Sequence, residues 1–125
     1  MKKKFLLLIT FISVIIGACT KDIVEPNYTP VVPNTNAKFS TDVYPLFASN
    51  GCTACHGTSG GLDLNGTASV VRGNLITKGS VKPSQASTSK LYFYFNNNAS
   101  HNGKTFTSVQ EGNIKGWIDA GALDN

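Results

Sequence analysis

Sulfur, histidine and arginine are scarce in this 125-residue chain. Its thiols are Cys19, Cys52 and Cys55, its histidines His56 and His101, its only arginine Arg72 and its only methionine Met1. A zinc site would need a second pair of ligands beside Cys52 and Cys55, and a redox dithiol would need a thioredoxin-like βαβ context. The sequence offers neither. No apolar run reaches the ~20 residues that cross a bilayer as a helix. The longest, residues 5–16, is broken by Thr10 and Ser13. Gly57-Thr58-Ser59-Gly60-Gly61 lacks the Gly-Lys-Ser/Thr ending of a phosphate loop, so the nucleotide reading fails and the stretch is read as a turn passing close to a flat ligand.

What is present at the N-terminus is an export signal. Met1-Lys2-Lys3-Lys4, the apolar run and Ile16-Gly17-Ala18 together predict a secretory signal peptide, residues 1–18, that is removed. The segment ending in Cys19 resembles the lipobox of bacterial lipoproteins, which implies that Cys19 is lipidated and begins the mature chain. Ordinary cleavage after Ala18, with Cys19 left free, is the alternative. The formal charge of +4 then largely disappears. Without Lys2, Lys3 and Lys4, the eleven basic residues become eight against seven acidic ones, and no cluster suited to a phosphate backbone remains. Nucleic acid is not an expected partner.

The chemistry is concentrated in Cys52-Thr53-Ala54-Cys55-His56. Two thiols at this spacing can add across the two vinyl groups of haem, and the adjacent imidazole is then held beneath the iron. The motif reads as a c-type haem site with Cys52 and Cys55 as attachment points and His56 as proximal iron ligand. One thiol for lipid and two for haem leave none for disulfides. Covalent haem is attached outside the cytoplasm, so the export signal and the haem motif support each other.

Residues 20–37 contain Pro26, Pro30 and Pro33, three of the five prolines, and read with Cys19 as an extended tether, 19–37. Residues 38–125 form one small domain, too small to bury a generous core unaided. A first helix is expected over 41–49, capped by Ser40 or Thr41, tolerating Pro45 near its start and ending at Asn50-Gly51. A short helix carrying Val70 and Val71 is expected over 66–73, a loop over 74–87, and a further helix over 88–96 capped by Ser87 or Thr88. Leu91, Tyr92, Phe93, Tyr94 and Phe95 cannot all face one side of that helix. The last helix is expected over 108–120. It opens on two overlapping capping boxes, Thr107-x-x-Gln110 and Ser108-x-x-Glu111, and carries Ile114, Trp117 and Ile118 at helical spacing before Gly121. Gly112 and Gly116 inside it suggest close approach of a second helix.

Five segments together resemble class I c-type cytochrome domains, most closely the planctomycete-type cytochrome c domains of bacterial envelope lipoproteins. They are Phe39-Ser-Thr-Asp-Val-Tyr-Pro-Leu-Phe, the Cys52 to Gly57 motif, Gly60-Gly61-Leu62-Asp63-Leu64, Ser89-Lys-Leu91-Tyr92 and Gly116-Trp117-Ile118-Asp119-Ala120-Gly121-Ala122. The resemblance covers about 39–123. It implies an all-α, cytochrome c-like helical bundle wrapped around one covalent haem, with Trp117 near the crossing of the first and last helices. Such domains usually supply a distal methionine before the last helix, and here Met1 leaves with the signal peptide. In the corresponding stretch, Asn96-Asn97-Asn98-Ala99-Ser100-His101-Asn102-Gly103-Lys104, His101 stands where the sulfur ligand would be. Bis-histidine ligation is the leading expectation. A vacant or water-filled sixth site, or Lys104, is the alternative.

The expected function is electron transfer by a monohaem lipoprotein of the bacterial cell envelope, membrane-anchored through Cys19, facing the periplasm or cell surface and working with a redox partner protein. No catalytic residues are assigned, and the chain is not read as an enzyme. An open-site haem protein, peroxidase-like or gas-sensing, is the alternative, with Arg72 and His101 as the only distal candidates. A structural or adhesive role is a third reading.

Overall fold

The computed structural model describes residues 30–57, 61–95 and 101–125. The expected signal peptide, Cys19 and the first part of the expected tether lie outside the described residues, as do 58–60 of the glycine-rich turn and 96–100. The described chain is all-α, with no strand beyond one isolated bridge between His101 and Lys104. Among the described residues no helix is long and apolar enough to cross a membrane.

The first element differs from the regular helix expected over 41–49. A π-helical turn, Phe39–Val43, runs directly into helix α1, Tyr44–Ser49. Pro45 explains the change: it has no N–H, and its ring crowds the carbonyl four residues back, that of Thr41. The amide of Tyr44 donates instead to the carbonyl of Phe39, five residues back, which widens the turn. Neither Ser40 nor Thr41 caps it. The Lys38 N–H donates to Asp42 Oδ2 at 2.8 Å, the Phe39 N–H to Asn125 Oδ1 at 2.9 Å, and the Ser40 N–H to the Asn125 carbonyl at 2.9 Å. A residue from the far end of the sequence therefore does the capping.

Helix α2, Ala68–Thr77, is capped by the Thr67 hydroxyl, which accepts from the Val70 N–H at 3.5 Å. It outruns the expected 66–73 because Leu75 continues the stripe begun at Val71, and both are fully buried. The expected loop thus begins only at Lys78. A 3₁₀ turn, Ala86–Thr88, leads to helix α3, Lys90–Phe93, far shorter than the expected 88–96. Neither Ser87 nor Thr88 caps α3; Ser89 precedes it, and its buried hydroxyl accepts from the Lys82 N–H and donates to the Gln85 carbonyl, pinning the preceding loop instead.

Helix α4, Ser108–Asp119, closes the fold close to its expected bounds. Of the two possible capping boxes the chain uses the first: the Thr107 hydroxyl accepts from the Gln110 N–H at 3.3 Å, and the Gln110 side chain accepts from the Thr107 N–H at 2.9 Å. Ile114, Trp117 and Ile118 are buried, each contributing ~1.5–3 kcal/mol relative to exposure. The Trp117 ring packs on Phe39, centroids 4.7 Å apart, and its indole N–H donates to the Leu123 carbonyl at 2.8 Å. The first and last helical elements meet at this pair.

Gly112 and Gly116 do face a close neighbour, but it is extended chain and not a second helix. A Cβ on Gly112 would lie 2.4 Å from the Val32 carbonyl oxygen, and one on Gly116 would lie 1.9 Å from that of Asn34. The Asn34 N–H donates to the Gly112 carbonyl at 2.9 Å, its side-chain amide reaches Asn113 at 2.9 Å, and Ala37 is buried. Part of the stretch read as tether is thus a strap laid along α4.

Candidate functional site

Gly51 ends α1 in the left-handed conformation, φ +67°, and turns the chain into a 3₁₀ turn, Cys52–Ala54. The N–H groups of Cys55 and His56 both donate to the Cys52 carbonyl, at 3.2 and 2.9 Å. One tight turn therefore gathers the two thiols and the imidazole of the motif. The Leu64 N–H donates to the His56 carbonyl at 2.8 Å, which ties the returning chain to the same place.

Cys52, Cys55 and His56 all line one cavity of about 930 Å³, counting the part open to solvent. Its walls include Phe47, Leu62, Leu64, Leu75, Leu91, Phe95 and Phe106. Among the described residues no aspartate or glutamate lines it; the charged side chains they place at the cavity are Lys90 and Lys104.

His101 reaches the same cavity from a separate part of the chain. His101 and Lys104 exchange both backbone hydrogen bonds at 3.0 Å, and Asn102 and Gly103 both have positive φ, +51° and +74°. These are the marks of a type I′ turn, for which Asn-Gly is the favoured pair. The His101 ring lies 5.5 Å from Tyr94, 5.9 Å from Phe95 and 5.9 Å from His56, its plane inclined 23° to that of His56. At 5.9 Å the two imidazoles are too far apart for face-to-face contact. Two metal–nitrogen bonds of ~2 Å, with the half-widths of two rings, add to about 6 Å.

Burial pushes the Cys52 thiol up from its ordinary pKa, and the nearby Lys104 ammonium only partly opposes this. A Cβ on Gly51 would lie 3.3 Å from Lys104 Nζ, which places that amine beside the motif. A redox dithiol depends on a depressed thiol pKa, so the direction here runs against that chemistry. Both thiols are free, Cys52 partly buried and Cys55 exposed. Among the described residues no three His, Cys, Asp or Glu side chains gather as a bare-ion site would need.

The residues present suit a haem in the cavity. Two thiols on one turn, a neighbouring imidazole, an apolar wall and a second imidazole at this distance are the groups such a cofactor uses. One usual support is missing among the described residues: His56 Nδ1 is buried without a hydrogen-bond partner there, whereas metal-bound histidines usually donate that proton to an acceptor. Arg72, the other distal candidate in the sequence, donates to the Ala122 carbonyl and does not line the cavity. Tyr94 and Phe95 beside His101 were legible in the sequence only as large residues in a row. Comparison of the chain with protein-family models, curated proteins and solved structures returned no match.

Proposed function

We propose that this domain is a monohaem c-type cytochrome that transfers single electrons at the bacterial cell envelope, tethered to a membrane through a lipidated Cys19. Cys52 and Cys55 would hold one haem covalently, and His56 and His101 would bind its iron. The observation that carries this reading is the pair of imidazoles 5.9 Å apart in an apolar cavity that both motif thiols also line. When bound, the group supplies one reversible one-electron couple.

The protein's part is to position and to exclude. The turn at Cys52–Ala54 holds both thiols and His56 in one register, so a ligand fixed there cannot rotate or leave. Leucine and phenylalanine walls keep water from the centre and lower the local dielectric, which favours the less charged of two redox states. Lys104 beside Cys52 adds a positive charge that also favours the reduced form. Histidine in place of methionine at the distal side works the other way, since methionine ligation raises the potential. A potential below that of a His/Met protein is expected.

The test is the optical and electron-paramagnetic spectrum of the haem-loaded protein and of His101→Ala. A low-spin six-coordinate iron that becomes high-spin and binds carbon monoxide rapidly in the variant supports the reading. A low-spin spectrum unchanged in His101→Ala excludes His101 as ligand. Rapid carbon monoxide binding by the unmodified protein places it instead among open-site haem proteins.

A further inference from the structure

Helix α3 resolves the five large residues of 91–95 in an instructive way. Tyr92 and Phe95 turn into the core, while Phe93 and Tyr94 face solvent, 65% and 48% exposed. Their rings meet edge-on with centroids 6.0 Å apart. Lys90 stands three and four residues before them, so all three share one side of the turn. From Tyr94 the next ring is His101 at 5.5 Å, and from His101 the next is His56 at 5.9 Å. A series of rings thus runs from solvent to the cavity, the steps from Phe93 to Tyr94 and from Tyr94 to His101 inside the ~4.5–7 Å range of aromatic contact.

We infer that the exposed Phe93–Tyr94 edge is the docking surface for the redox partner, and that this partner is an acidic one-electron redox protein. The inference rests on the haem reading above and adds where, and to what, the domain binds. An exposed aromatic pair that the fold could have buried marks an interaction patch, and aromatic residues are enriched in such patches. Charge selects the partner. Lys90 and Lys104 flank the cavity, both exposed, and the one ion pair among the described residues is Lys115 with Asp119, elsewhere on the surface. With no carboxylate among the described residues lining the cavity, the edge complements a surface whose carboxylates ring an apolar centre. A second copy of this chain would bring lysine against lysine. One electron crosses the edge, leaving the partner oxidised and this domain reduced, and no bond is made or broken.

The test uses the haem-loaded full chain and, as probe, an acidic plant-type [2Fe–2S] ferredoxin. Binding is measured by titration calorimetry, and electron transfer by stopped flow at several salt concentrations. Lys90→Glu is expected to weaken binding and slow transfer by roughly fivefold or more, with a shallower salt dependence. Phe93→Ser is expected to weaken binding by about threefold, while Lys38→Glu, a change at an exposed lysine that does not line the cavity, leaves both readings within error. Lys38→Glu should also be reduced by dithionite at the rate of the unmodified protein. Equal effects of Lys90→Glu and Lys38→Glu overturn the docking site while leaving the haem reading intact. So does self-association through Phe93, seen as a dimer that Phe93→Ser dissolves, with ferredoxin binding unchanged. A chain with no haem absorbance overturns both.

Discussion

Replacing Gly116 by alanine sets helix propensity against packing, with the balance set by the strap. In an exposed helix interior the change would stabilise by ~1 kcal/mol. Here the new methyl would sit 1.9 Å from the Asn34 carbonyl oxygen and 2.4 Å from its carbon, both backbone atoms with no rotamer to yield. The strap must lift. Lifting it breaks the Asn34 N–H bond to the Gly112 carbonyl and the side-chain bond from Asn34 to Asn113. At ~0.5–1.5 kcal/mol each these cost ~1–3 kcal/mol, and loss of cover over buried Ala37 adds about 1 kcal/mol. After the propensity gain is subtracted, Gly116→Ala should destabilise by ~1–3 kcal/mol, a fall of roughly 5–20 °C in Tm for a domain of this size. Gly73→Ala is the matched control, since a Cβ there meets nothing within 4 Å and α2 should gain up to ~1 kcal/mol. Urea unfolding of the full chain, followed by Trp117 fluorescence and far-ultraviolet circular dichroism, reads both. A Gly116→Ala protein as stable as the parent refutes the strap.

Other perturbations address the site and its supports. In haem-free protein, iodoacetamide should label exposed Cys55 several-fold faster than Cys52 at mildly alkaline pH, because burial holds the Cys52 thiol protonated. The same raised pKa contributes stability that is complete below the ordinary thiol range and is lost as pH rises through the folded value, so Cys52→Ser should flatten the alkaline fall in stability. Gly103→Val places a β-branched residue at φ +74° and should cost ~1–2 kcal/mol, with a mixed or high-spin iron signal as His101 loses its position. Trp117→Phe removes the indole bond to the Leu123 carbonyl and should lower stability by ~0.5–1.5 kcal/mol without altering the haem spectrum.

Local signals were legible where one residue type does one job. The Thr107–Gln110 capping box, the Gly51 stop after α1 and the apolar spacing of Ile114, Trp117 and Ile118 all stand as the sequence suggests. The motif cysteines and His56 line one cavity, and His101 joins them from forty-five positions on. Long-range partners were not legible. Nothing local marks Asn125 as the cap of the first helical turn, nor the carbonyls of Val32 and Asn34 as what presses on Gly112 and Gly116. Close approach could be read from two glycines four apart; the identity of the approaching backbone could not. Asn102-Gly103 is a different case, since a type I′ signal was present but lay hidden in a polar stretch without flanking strands. Pro45 was accepted as tolerable near a helix start, yet its missing N–H changed the helix type one residue earlier.

The most direct measurement is peptide mass spectrometry of the full chain expressed with a c-type haem maturation system, alongside Cys52→Ala and Cys55→Ala. The expected result is a single peptide spanning Cys52 to His56 that carries one haem through two thioether links, reduced to one link in each single variant. An unmodified peptide with both thiols free, from protein exported in the presence of working maturation machinery, would contradict the haem assignment and the electron-transfer function built on it.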